Sequence, residues 1–219
     1  MAVFKNRIEA GNQLAPRLVH LRADSPVVLA IPRGGVPVAV PVARQLEASL
    51  TVIPLRRLAI SWRPENDYGY VTSTGELHLN QALVGQVRLT PPEVYRIAQK
   101  ERVQLMKDLE LWEAPPVPDL QKKTVVIVDD GMHSGWAMFS AVESVRKMGA
   151  GRIIAAVPVS HFRAKRFVAH HCDEVLALTV EDIALFRIEN YFDQYPPVSD
   201  EEIKDMLSAS RHNTHQPAA

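Results

Sequence analysis

Val125-Val126-Ile127-Val128-Asp129-Asp130-Gly131-Met132-His133-Ser134-Gly135-Trp136-Ala137 is the stretch that decides the architecture of this chain. Its four apolar residues suit a short strand buried on both faces, as in a parallel sheet. Two adjacent carboxylates follow at the carboxyl end, where open α/β sheets place their ligands. A glycine-bearing turn comes next. Met138, Val142, Val145 and Met148 then recur at helical spacing up to Gly149. The N-terminus of a helix presents free N–H groups and the positive end of its dipole, and so attracts phosphate. Gly131 and Gly135 let the backbone approach an anion, and Ser134 adds a hydroxyl donor. Asp129 and Asp130 cannot bind phosphate themselves. They suit sugar hydroxyls, as acceptors, or a divalent cation. The segment therefore describes a site for a sugar phosphate better than one for bare phosphate.

Outward from this segment the alternation of strand and helix continues. Positions 26–31 form an apolar run that ends at Pro32-Arg33-Gly34-Gly35, and a helical stretch follows to Leu46. Pro37 is acceptable in its first turn, whereas Pro41 is expected to delay or kink it. Before that run, Phe4, Ile8, Leu14, Leu18 and Leu21 mark an amphipathic first helix. Positions 51–60 read as a second strand and 61–69 as a polar loop. Positions 70–74 and 76–79 read as a small hairpin around Gly75. A long charged helix is predicted over 91–112, and the three prolines within 114–119 make a connector. Downstream, 153–159 and 174–178 read as strands with a helix over 161–170 between them. Ser199 with Glu202 resembles a capping box for a last helix. The pattern predicts one α/β domain over 1–209, with a parallel sheet covered by helices on both faces, a small hood or flap region, and a disordered tail over 210–219.

Composition removes several classes of function. Lys plus Arg equals Asp plus Glu, 25 each, so no overall field draws the chain toward nucleic acid or membrane. No apolar run reaches the roughly 18 residues needed to span a bilayer. Positions 1–10 carry Lys5, Arg7 and Glu9 and lack an apolar signal core. Cys172 is the single cysteine, which rules out an intrachain disulfide framework and fits a reducing, cytoplasmic setting. His170-His171-Cys172 has no second cluster to complete a metal site and reads as a helix end.

The quoted segment resembles the signature of the type I phosphoribosyltransferases, in which four apolar and two acidic residues precede three variable ones and Thr-Gly-x-Thr. The similarity extends to stand-alone bacterial phosphoribosyltransferase-like proteins. It runs through Arg7-Ile8-Glu9-Ala10-Gly11, Pro32-Arg33-Gly34-Gly35, Pro64-Glu65 with Gly69, Ala156-Val157-Pro158-Val159, Tyr191-Phe192-Asp193 and Ser199-Asp200-Glu201-Glu202. The resemblance implies the phosphoribosyltransferase fold, with homodimers common in the family. It implies phosphoribosyl pyrophosphate as substrate and a nitrogenous acceptor, with magnesium as cofactor. Asp129 and Asp130 would hold the ribose hydroxyls, or the metal. The backbone of Gly131, Met132, His133, Ser134, Gly135, Trp136 and Ala137 would hold the 5-phosphate. Arg33, Gly34 and Gly35 would line the pyrophosphate site. Positions 61–69 would form a mobile flap, and Arg57 and Arg63 are the nearest cations for the leaving group.

Four residues depart from that pattern, of which Ser134 for the first Thr is a mild change and His133 stands where a small residue is common. Ala137 replaces a hydroxyl side chain, and Trp136 puts an indole where a small residue is usual. Trp136 is expected either to pack outward over the flap or to fill the phosphate pocket. Two functions follow: a transferase, favoured by the intact acidic pair and Pro-Arg-Gly-Gly, or a non-catalytic protein of the same fold that senses a nucleotide or binds a protein partner.

Overall fold

The computed structural model describes residues 3–60 and 63–213, and of residues 60, 63–66, 212 and 213 the backbone alone. Along the first half run α1 (Arg7–Leu18), β1 (Val27–Ala30), α2 (Gly35–Leu46), β2 (Ser49–Val52), β3 (Leu55–Ile60), β4 (Arg63–Thr72), β5 (Leu77–Leu79), α3 (Gln81–Gln86) and α4 (Pro91–Leu111). The second half holds β6 (Thr124–Val128), α5 (Trp136–Lys147), β7 (Arg152–His161), α6 (Phe162–Ala169), β8 (Glu174–Glu181) and α7 (Asp200–Asn213). The chain divides into two compact units, Met1–Ile53 with Trp112–Ala219, and Pro54–Leu111.

The first unit is built on a five-stranded sheet of order β2-β1-β6-β7-β8. Every pairing in it is parallel. A strand covered by helices on both faces gains from apolar residues at every position, and all of β1 and β6 is buried. Pro41 does not interrupt α2. A Cβ on Gly11 would lie 2.4 Å from the Val38 carbonyl oxygen and 2.5 Å from the Pro41 ring. That glycine therefore lets α1 and α2 cross closely, which gives the Arg-x-x-Ala-Gly stretch a packing role. The capping box forms as expected: the Glu202 N–H donates to Ser199 Oγ at 3.2 Å, and the Ser199 N–H to Glu202 Oε2 at 2.8 Å. Helix α7 continues to Asn213, past the expected start of the tail at 210.

The second unit is an antiparallel sheet of order β3-β4-β5 with α3 and α4. Two expectations change here. The run 51–60 is not one strand: it breaks at Ile53-Pro54, and β2 and β3 join different sheets. Proline has no N–H for a ladder, so the chain turns there. The expected loop 61–69 contains the start of β4, whose polar residues pair with β3 through Leu58↔Gly69 and Ala59↔Asp67 with a bulge between them. An antiparallel ribbon satisfies its backbone whatever its side chains, so polarity alone misreads it as a loop. Ser61 and Trp62 lie outside the described residues. The hairpin around Gly75 is present, with φ of +91° at that glycine. Leu58, Tyr68, Val71, Val94 and Ala98 form the core of this unit. Arg56 joins β3 to α4 through Glu101 at 2.6 Å and the buried Asp108 at 2.5 Å.

Candidate functional site

Strand order reverses between β1 and β6, because the chain passes from β1 to β2 on one side and later places β6 on the other. Such a switch point opens a crevice at the carboxyl ends of the two strands. Both sequence-predicted loops emerge there: Pro32-Arg33-Gly34-Gly35 after β1, and Asp129-Asp130 after β6. They are in direct contact. A Cβ on Gly34 would lie 2.0 Å from Asp130 Oδ2, and one on Gly35 2.6 Å from the Val128 carbonyl oxygen. No side chain fits at either position without moving the acidic pair.

The two carboxylates have different surroundings. Asp130 is buried. Its Oδ2 accepts from Arg7 Nε at 2.8 Å and from the Tyr195 hydroxyl at 2.7 Å. The Arg7 guanidinium lies 3.7 Å from the centre of the Tyr195 ring and donates a further bond to the Pro196 carbonyl at 2.7 Å. Burial and the adjacent Asp130 charge push the Tyr195 phenol up, keeping it a donor. Asp129 is half-buried. Its Oδ1 accepts the Asp130 N–H at 2.9 Å. Burial, then the charge of Asp130, push its pKa well above the usual carboxylate range.

The turn itself is held by β7. Met132 donates its N–H to the Val159 carbonyl at 2.9 Å and accepts from the His161 N–H at 2.8 Å. Met132 is thereby removed from the expected phosphate donors, since its N–H is already used. The Trp136 N–H faces Ser134 Oγ at 3.4 Å. Among the described residues no protein acceptor takes the N–H of His133, Ser134 or Gly135. Gly135, at φ +82°, caps α5, and its α-carbon face abuts Val168 and Phe167 of α6. Gly131 is covered by Ile188.

Trp136 opens α5 and faces α6. Its ring packs into an aromatic cluster between α5 and α6, 5.2 Å from Phe139 and 5.6 Å from Phe167, with His171 against both phenylalanines. Ala137 follows in the first turn of α5. Arg33 pairs with Asp200 Oδ1 at 2.7 Å and lies 5.2 Å from the centre of the Trp112 ring, whose Nε1 donates to the same oxygen at 2.6 Å. Arg57 belongs to the Pro54–Leu111 unit, where it pairs with Asp67 at 3.4 Å. Arg63 opens β4 with its backbone, and its side chain lies outside the described residues. Arg7 and Tyr195 were not singled out as site residues. Arg7 stood in a recognised motif, but nothing local in a sequence pairs it with a residue 123 positions away.

The parallel sheet, the switch-point crevice and the glycine loops against an acidic pair define an α/β domain with a candidate ligand crevice at its switch point. The chain belongs to the phosphoribosyl transferase domain family, whose model matches residues 5–190. Proteins from two strains of Mycobacterium tuberculosis, each named "Putative phosphoribosyl transferase", are 31% identical over 215 residues, covering 97% of this chain and 48% of their own length. The chain thus spans about half the length of the curated relatives it matches. The crystal structure of TT1426 from Thermus thermophilus superposes with a TM-score of 0.77 at 33% identity, covering 94% of this chain and 98% of that one. Fold and domain are those of a phosphoribosyltransferase. No helix among the described residues is long and apolar enough to cross a membrane.

Proposed function

We propose that the switch-point crevice binds phosphoribosyl pyrophosphate and that the protein transfers its phosphoribosyl group to a nitrogenous acceptor. The observation that carries this reading is the contact of Gly34 and Gly35 with the acidic pair, beside a turn whose N–H groups at His133, Ser134 and Gly135 have no acceptor among the described residues. The turn and the start of α5 suit the 5-phosphate. Asp129 suits the ribose hydroxyls. The Pro32–Gly35 loop suits the diphosphate, with Arg33 exchanging Asp200 for it.

In the transfer, a nitrogen lone pair bonds to C1 of the ribose as the C1–O bond breaks. Pyrophosphate leaves with that electron pair, and the acceptor nitrogen gives up its proton. The chain contributes position and electrostatics: fixed backbone donors at one end of the substrate, a carboxylate at the sugar and a guanidinium near the leaving group. No group of three His, Cys, Asp or Glu among the described residues forms a metal cage. Magnesium commonly binds through one or two carboxylates together with substrate phosphates, so Asp129 fits it, whereas Asp130 is already engaged by Arg7 and Tyr195. Such a cation would neutralise charge on the departing diphosphate. The packing of Trp136 into the α5–α6 cluster supports an open rather than a plugged turn. The lone cysteine suits a reducing compartment.

Titration calorimetry with phosphoribosyl pyrophosphate and magnesium, followed by assay of pyrophosphate release with a panel of nitrogenous bases, tests the reading. Binding is expected, and Asp129→Asn should weaken it about ten-fold or more, the worth of one hydrogen bond to a charged group. Absence of binding by the parent protein would overturn it. Binding without release on any base would leave the non-catalytic function instead.

A further inference from the structure

Residues 3–5 and 191–195 run side by side. Phe4 and Phe192 form a parallel bridge, with their rings 5.5 Å apart, and Asp193 and Gln194 donate their N–H groups to the carbonyls of Phe4 and Lys5. Tyr195 stacks on Phe192 at 5.1 Å. This pairing brings Arg7 and Tyr195, from opposite ends of the chain, onto one oxygen of Asp130. The same oxygen touches Gly34. Buried ion pairs contribute little net stability, and apolar residues of similar volume often serve the fold as well or better. A charged cage at the ligand crevice therefore calls for a reason other than stability. Its geometry supplies one: whatever fixes Asp130 Oδ2 also fixes the distance between the acidic pair and the Pro32–Gly35 loop.

We propose that Arg7 and Tyr195 are positioning residues: they hold Asp130 as a brace between the two ligand loops, leaving Asp129 as the carboxylate that meets the ligand. The inference rests on the reading of the crevice as a phosphoribosyl pyrophosphate site. It assigns a role to the Arg-x-x-Ala-Gly and Tyr-Phe-Asp elements. A ligand that spans both loops depends on their separation, because its second contact forms at an effective concentration set by that geometry. Ribose 5-phosphate or pyrophosphate alone engages one loop and does not depend on it.

Calorimetry at 25 °C on parent, Tyr195→Phe and Arg7→Lys proteins, with three ligands each in magnesium, tests the brace. Tyr195→Phe keeps the ring and its stacking and removes only the hydroxyl. Phosphoribosyl pyrophosphate affinity should fall about ten-fold or more in each variant, while ribose 5-phosphate and magnesium pyrophosphate change less than about two-fold. Unchanged affinity for all three ligands in folded variants would reduce the cage to a structural feature and overturn the inference, leaving the site reading intact. Equal loss of ribose 5-phosphate affinity would make Tyr195 or Arg7 a direct ligand contact and overturn it too. Loss of the folded circular dichroism spectrum in both variants would show that the cage serves stability. If the parent binds none of the three ligands, the site reading fails and the brace with it.

Discussion

At Asp129 a carboxylate sits half-buried beside another carboxylate, and both facts favour its protonated form. The folded protein then holds that proton more tightly than the unfolded chain does. Its contribution is therefore lost as pH rises from about 4, the ordinary carboxylate value, through the raised value in the fold. Asn at this position cannot ionise. We expect Asp129→Asn to melt above the parent at pH 8 and close to it near pH 4. Asp130 differs in being paired with Arg7. Asp130→Asn leaves Arg7 buried without its anion and should lower stability by about 3 kcal/mol at pH 8. Thermal melts of both variants at the two pH values check this. A fall in melting temperature for Asp129→Asn at pH 8 would count against a carboxylate kept in place at a cost to the fold. The sequence shows the pair as two equal acids. Their difference comes from Arg7 and Tyr195, which only the fold brings to one of them.

The strand–turn–helix element from β6 to α5 was legible because its signals are local: a wholly apolar strand, two glycines and a helical period. Its side-chain directions were not. Trp136 opens α5, and its indole could be read as facing the ligand, yet the ring lies among Phe139 and Phe167. The spacing 136 and 139 places two aromatics on one helical face, but Phe167 comes from α6, a different helix. Trp136→Ala should therefore act on stability and not on the ligand. Chemical denaturation should show a loss of about 2 kcal/mol, that of a partly buried aromatic cluster. Phosphoribosyl pyrophosphate affinity should stay within about two-fold. A large gain in affinity would return the indole to the phosphate pocket. The strand pairing of positions 63–69 escaped the same kind of reading, since a polar ribbon paired to a neighbour carries no strong period of its own.

At the scale of the molecule, Pro54–Leu111 is one continuous insertion into the first unit. The chain leaves that unit after Ile53 and returns at Trp112. Nearby, the Thr51 hydroxyl donates to the Pro115 carbonyl, so the two ends lie close together in the first unit itself. Domains with adjacent ends tolerate such excision. Replacing 54–111 by a short Gly-Ser linker should leave a chain that unfolds cooperatively and binds ribose 5-phosphate. Loss of the cooperative transition would show that the first unit depends on the insertion. Taken by itself, the sequence determined the alternation of strands and helices, the parallel class of the sheet and the two loops of the candidate site, because apolar runs, helical periods and glycines act over a few residues. The tertiary structure alone decided that the loops meet at one switch point, that Asp130 is caged by Arg7 and Tyr195 while Asp129 is not, and that Trp136 turns toward α6. Those outcomes depend on contacts between residues up to 189 positions apart, whose geometry is set by packing and not by local preference.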